Sequence, residues 1–91
     1  MNIRDITYFI AVAECQHFGK AAERCCVSQP TLSMQLKKLE QELNVQLFER
    51  SNKQVMITSI GQSVLLQARQ VMQEIETMKQ IARDEHDPMV G

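Results

Sequence analysis

Tryptophan is absent from this sequence, tyrosine occurs once and phenylalanine three times; glycine and proline supply only three and two of the 91 residues. So few strand-forming aromatics, beside plentiful Gln, Glu, Leu, Ala, Met and Lys, argue for helices over a β-sandwich. Cysteine is also sparse. Cys15, Cys25 and Cys26 are odd in number, the adjacent pair is poor geometry for a bridge, and no C-x-x-C pair exists. They read as ordinary reduced cysteines of a cytosolic protein. There is no long apolar run: the longest, Tyr8–Ala13, is too short to span a bilayer and is followed by no cleavable signal pattern. Membrane partners are therefore not expected.

Excess charge of one sign is missing too. The net charge is −1, which taken whole does not resemble a nucleic-acid binder. The distribution says more. Residues 15–58 carry Lys20, Arg24, Lys37, Lys38, Arg50 and Lys53 against Glu23, Glu40, Glu42 and Glu49, a net +2. Residues 1–14 net −1 and residues 59–91 net −2, so a local basic surface survives in the middle of the chain. The length suits one domain with room for an arm, and at this size only ~60–65% of the extended surface is buried, which favours a stabilising partner.

What is present is helical periodicity. Ile3, Ile6, Phe9, Ile10 and Ala13 predict a first helix over 3–15, with Asn2 as its N-cap. A short second helix is expected from about Gly19 to Cys25, preceded by Phe18. After the break at Cys26-Val27, Ser28 reads as an N-cap and Pro30 falls in the first turn of a third helix, where a missing N–H does little harm. Leu32, Leu36, Leu39 and Leu43, spaced 4, 3 and 4, give that helix one leucine face. Asn44 suits the left-handed conformation that ends it. Gln46–Arg50 and Val55–Thr58, around the polar Ser51–Gln54, read as a hairpin.

Thr58 or Ser59 caps a fourth helix, Ser59 and Gln62 fitting the capping-box spacing. Val64, Ala68, Val71, Ile75, Met78 and Ala82 repeat along it at spacings of 4, 3, 4, 3 and 4. Roughly 25 residues make a rod of about 37 Å, longer than the domain needs internally. This seam is expected to serve partly against the first helix and mostly against a second copy of the chain. The tail, residues 85–91, is expected to be loose.

The element order is that of a mainly α, winged helix-turn-helix fold: the helix-turn-helix over about 18–37, a small β-hairpin wing, and a long C-terminal dimerisation helix. With the leucines inward, Gln29, Pro30, Ser33, Met34 and Lys37 lie on or beside the outer edge near the N-terminal half of the third helix, the end that enters a major groove in this geometry. Gln can pair bidentately with adenine, Ser can bond a base edge or phosphate, and Lys can reach guanine or phosphate. Ser28, Thr31, Gln35 and Lys38 are placed for the DNA backbone, the helix N-terminus attracts phosphate, and Arg50, Asn52 and Lys53 extend the backbone set into the wing. Taken singly, each feature has a bland reading as well: exposed lysines as solubility, Ser28 as a cap alone, and Met34 as a protein contact.

The residues then reach a family. The run His17-Phe18-Gly19-Lys20-Ala21-Ala22, the stretch Val27-Ser28-Gln29-Pro30-Thr31-Leu32-Ser33 continuing through Gln35, Leu36, Leu39, Glu40 and Leu43, then Leu47-Phe48-Glu49-Arg50, Thr58 and Gly61, resemble the N-terminal DNA-binding domain of LysR-type transcriptional regulators. Arg4-Asp5, Glu14, His17-Phe18 and Cys25 look most like the peroxide-sensing OxyR subgroup. The resemblance covers essentially the whole chain. It implies a DNA-binding domain over 1–58, a linker helix over 59–84 through which a homodimer forms, and an effector-sensing domain beyond the tail, absent from this sequence. Higher oligomers are implied for the full regulator. The peroxide-reactive cysteines of such proteins belong to that further domain, so Cys15, Cys25 and Cys26 are not carried over as sensors. Met34 replaces a frequent Arg, Asn44 a common Gly, Lys53 a common Arg and Ile60 a common Ala.

An enzyme is not expected. His17 and His86 are far apart, neither has Cys or carboxylate at ligand spacing, and no glycine-rich phosphate loop exists. No cofactor or metal is expected. The expected function is sequence-specific binding of double-stranded DNA in the cytoplasm, as a dimer on an inverted repeat. The alternative is a helical module that uses the winged fold and the apolar seam to bind protein.

Overall fold

The computed structural model describes residues 1–51 and 54–86. Four helices and one hairpin follow in the order α1 (Ile3–Cys15), α2 (Phe18–Cys25), α3 (Gln29–Leu43), β1 (Phe48–Arg50), β2 (Val55–Ile57) and α4 (Ser59–His86). β1 and β2 are antiparallel, with Phe48 opposite Ile57 and Arg50 opposite Val55. This matches the expected mainly helical architecture with its small wing.

Local chemistry sets the boundaries. Asn2 Oδ1 accepts from the Asp5 N–H at 2.9 Å while Asp5 Oδ2 accepts from the Asn2 N–H at 3.2 Å, a reciprocal cap on α1. α2 begins one residue earlier than the apolar pattern implied, because His17 Nδ1 accepts from the Lys20 N–H at 3.1 Å and caps it. Ser28 caps α3 as expected, its Oγ accepting from the Thr31 N–H at 3.2 Å. Helices α1, α2 and α3 all end on a non-glycine residue in the left-handed region: Gln16, Cys26 and Asn44, at φ 52°, 58° and 55°. Of the two cap candidates for α4, Thr58 is the one used. Its Oγ1 accepts from the Gly61 N–H at 3.0 Å and donates to the Gln46 carbonyl at 2.7 Å.

α1 is the hub, touching α2, α3, α4 and β2. Phe9, Val12, Ala21, Leu32, Leu36, Leu39, Leu47 and Phe48 are almost wholly withdrawn from solvent. Phe9 meets Phe48 edge-on, centroids 5.5 Å apart at 63°, which ties the wing to the hub. Gly61 is where α4 crosses the start of the wing. A Cβ there would overlap the Leu47 carbonyl oxygen and come within 2.7 Å of Ile57 Cγ1.

The apolar seam of α4 divides. Ala68 is buried in the chain's own core, Val64 packs beside it, and Val71 lines an apolar recess with Ile6, Phe9, Leu39 and Leu43. Ala68 and Val64 thus take up the part of the seam expected to pack within the chain, while Val71 borders a recess that the chain leaves unfilled. Ile75 is half-buried, and Met78 and Ala82 are exposed on the distal part, together with Ile81. α4 also runs on to His86, so Glu85 and His86, expected in the loose tail, are helical; residues 87–91 lie outside the described residues.

Candidate nucleic-acid interface

The leucine face of α3 determines what its other face can do. Leu32, Leu36 and Leu39 are buried and Leu43 is half-buried, so the opposite side must meet solvent. Gln29, Pro30, Met34, Lys37, Lys38 and Gln41 are exposed there, while Ser33, Thr31 and Gln35 sit half-buried on the flanks. The expected edge is thus assembled: Gln29, Pro30, Ser33, Met34 and Lys37 share the N-terminal half of α3. Gln29 also neighbours α2, its Oε1 lying 3.6 Å from where a Cβ would stand on Gly19. A larger residue at 19 would crowd both that amide and the His17 ring.

The flank positions are partly committed. Ser28 Oγ donates to Thr31 Oγ1 at 2.8 Å besides capping α3, so the Ser28 hydroxyl is engaged both as donor and as acceptor. The cations differ in the same way. Lys20, Lys37 and Lys38 form no ion pair with any described residue. Arg24 and Arg69 are both held by Glu14, at 2.6 and 3.2 Å, which joins α1, α2 and α4 on the far side. The Arg24 guanidinium, hydrogen-bonded to Glu14 and assisted by Arg69, holds the Glu14 carboxyl below its ordinary range against the opposing effect of desolvation. Three of the cations without an ion pair among the described residues thus lie on the helix-turn-helix, while Arg4 on α1 and Arg83 on α4 are also without one.

Arg50 is less free than its sequence position implied. Its guanidinium donates to Glu40 Oε1 at 3.0 Å and lies 5.5 Å from the centre of the Phe18 ring. It shares with Lys37, Gln41, Asn44 and Gln46 a shallow recess between α3 and the wing. Asn52 and Lys53, the other expected wing contacts, lie outside the described residues.

Glu40 went unnoticed in the sequence as part of the site. It is nearly buried, and Oε2 accepts from the N–H groups of Leu47 at 2.7 Å and Phe48 at 3.3 Å. One carboxylate thereby fixes the start of β1 and the Arg50 side chain relative to α3. The signal was available: position 40 is one helical turn past Leu36, on the inward side, where a charge needs partners.

The three cysteines are free thiols, two half-buried and Cys26 exposed in the turn. Burial pushes the Cys25 thiol up, away from its reactive thiolate form. No group of three or more His, Cys, Asp or Glu suited to a metal occurs among the described residues, and no described helix is long and apolar enough to cross a membrane.

Comparison with known proteins agrees with this geometry. Residues 3–62 match the family described as bacterial regulatory helix-turn-helix protein, lysR family. The chain is 47% identical over 91 residues to the DNA-binding transcriptional dual regulator OxyR of Escherichia coli K12, covering all of this chain and 30% of that protein. It therefore spans about a third of the length of the curated relatives it matches. Among solved structures, full-length OxyR from Pseudomonas aeruginosa is 44% identical with a TM-score of 0.86, covering 91% of this chain and 28% of that one. The BenM DNA-binding domain in complex with benA site 1 DNA is 35% identical with a TM-score of 0.90, covering 97% and 99%. With its helix-turn-helix, wing and long terminal helix, this chain belongs to the LysR family of bacterial regulatory helix-turn-helix proteins.

Proposed function

We propose that this chain binds double-stranded DNA sequence-specifically, as the DNA-binding domain of an OxyR-like transcriptional regulator, and that it works as a dimer on an inverted repeat. One observation carries the reading: the N-terminal half of α3 turns Gln29, Ser33 and Lys37 away from a buried leucine face, beside lysines that form no ion pair among the described residues. In the major groove, Gln29, Pro30, Ser33, Met34 and Lys37 address base edges. Ser28, Thr31, Gln35 and Lys38 take the backbone, and Arg50, Asn52 and Lys53 carry the wing along the flanking phosphates. Residues 1–58 act as the reading unit and α4 as the linker, its distal residues Ile75, Met78 and Ala82 joining two copies. Two-fold pairing makes the target an inverted repeat. The relatives' greater length is consistent with an effector-sensing domain and higher oligomers in the full regulator. The activity is binding in the cytoplasm and not catalysis.

The test is selection of bound duplexes from a random pool at two ionic strengths. We expect an inverted repeat to be enriched, and its affinity to fall steeply with salt, with log Kd changing by about 0.9 per tenfold salt for each phosphate neutralised. A module that binds protein through its leucine and methionine faces would enrich no sequence and show a shallow salt response, and that result would overturn the reading.

A further inference from the structure

Met34 stands out chemically on α3. It is 52% exposed, the one large apolar side chain so exposed on that helix. It follows the exposed ring of Pro30 by one helical turn, so the two form an apolar strip within an otherwise polar edge, between Gln29 and Ser33 on one side and Lys37 beyond. A thioether offers a base edge almost no hydrogen-bonding capacity. Along a major groove the bases present acceptors, amino donors and a single apolar group, the C5 methyl of thymine. An unbranched, polarizable side chain is suited to lie against such a methyl.

We propose that Met34, with Pro30 behind it, reads the methyl group of a thymine at one fixed position in each operator half-site. This rests on the DNA-binding reading above and sharpens it, because it assigns a base and the atom recognised. A guanine or cytosine at that position would turn a polar edge toward the strip and lose hydrogen bonds to water without replacement. Lys37, three residues further along, would then address the neighbouring base step or phosphate.

The test removes the methyl and nothing else. In the selected duplex, each thymine is replaced in turn, symmetrically in both half-sites, by deoxyuridine, and affinity is measured for the wild type and for Met34→Ala. Position 34 is on the surface, so the variant should fold, and unchanged circular dichroism would verify it. We expect one thymine pair at which uracil weakens wild-type binding about fourfold per half-site, the worth of one buried methyl group. At that pair Met34→Ala should bind both duplexes equally, while its thymine-to-uracil ratios elsewhere stay those of the wild type. Equal ratios for wild type and variant at every thymine, with tight binding retained, would overturn the methyl assignment and leave DNA binding standing. Failure of both proteins to bind any duplex would overturn the DNA-binding reading itself, and this inference with it.

Discussion

Replacing Glu40 with alanine should loosen the wing more than any surface substitution of comparable size. Its carboxylate is the acceptor for the Leu47 and Phe48 N–H groups, at 2.7 and 3.3 Å, and both of those residues are fully buried. Each buried donor left without a partner costs about 1–3 kcal/mol. The longer contact belongs at the low end, and fraying of a three-residue strand admits some water, so the two together come to about 3 kcal/mol. Loss of the Arg50 pair adds no more than about 1 kcal/mol, since its guanidinium can rehydrate. A domain of this length is stable by about 5–13 kcal/mol, so the loss is conspicuous. Urea unfolding at fixed protein concentration measures it, and hydrogen exchange at the Leu47 and Phe48 amides locates it. Arg50→Met, which leaves both backbone bonds intact, should cost about 1 kcal/mol. If Glu40→Ala lies within about 0.5 kcal/mol of wild type, or if Arg50→Met is the more damaging change, the assignment of Glu40 as backbone acceptor is refuted.

Gly61→Ala drives a methyl group into the Leu47 carbonyl, which has no room to retreat because Thr58 bonds to it, so the melting curve should show a loss near 3 kcal/mol, the upper end of overpacking costs. Glu14 predicts an acid limb. Its carboxyl is held below its ordinary value near 4.5, chiefly by the Arg24 hydrogen bond, so its contribution is full above that value and disappears as pH falls through the lower folded one. Stability measured from pH 6 to 3 should therefore fall less in Glu14→Gln than in wild type, an effect kept small by the exposure of all three side chains; parallel curves would contradict it. Met78→Asp should shift sedimentation from dimer to monomer with little change in the chain's own unfolding, because Met78 is 68% exposed; a dimer of unchanged affinity would refute the role of distal α4.

The sequence made the helices legible because their signals are local. The 4-3-4 leucine spacing of α3, the caps Asn2 and Ser28, and the left-handed stop at Asn44 all act within a few residues. His17 as a cap was not legible, since imidazole is no common cap and the cue lies in how its ring meets the Lys20 amide. The choice of Thr58 over Ser59 depends on the Gln46 and Leu47 carbonyls that Thr58 meets, which are distant in sequence. Which residues of the α4 seam pack within the chain was hidden for a related reason. A 3.5-residue repeat says that a face is apolar, but not whether α1 or another chain covers it. Within the candidate interface, the outward residues of α3 followed directly from the inward ones. The engagement of Arg50 by Glu40 and Phe18 did not, because it joins α3, the wing and α2 in three dimensions.

The central claim is that the outer edge of α3 reads bases, and the most direct measurement compares the sequences selected by wild type with those selected by Gln29→Ala and Ser33→Ala. Each variant should keep the half-site spacing and lose preference at one or two positions, at about 1–3 kcal/mol per position. Selected motifs identical at every position in all three proteins would contradict the claim.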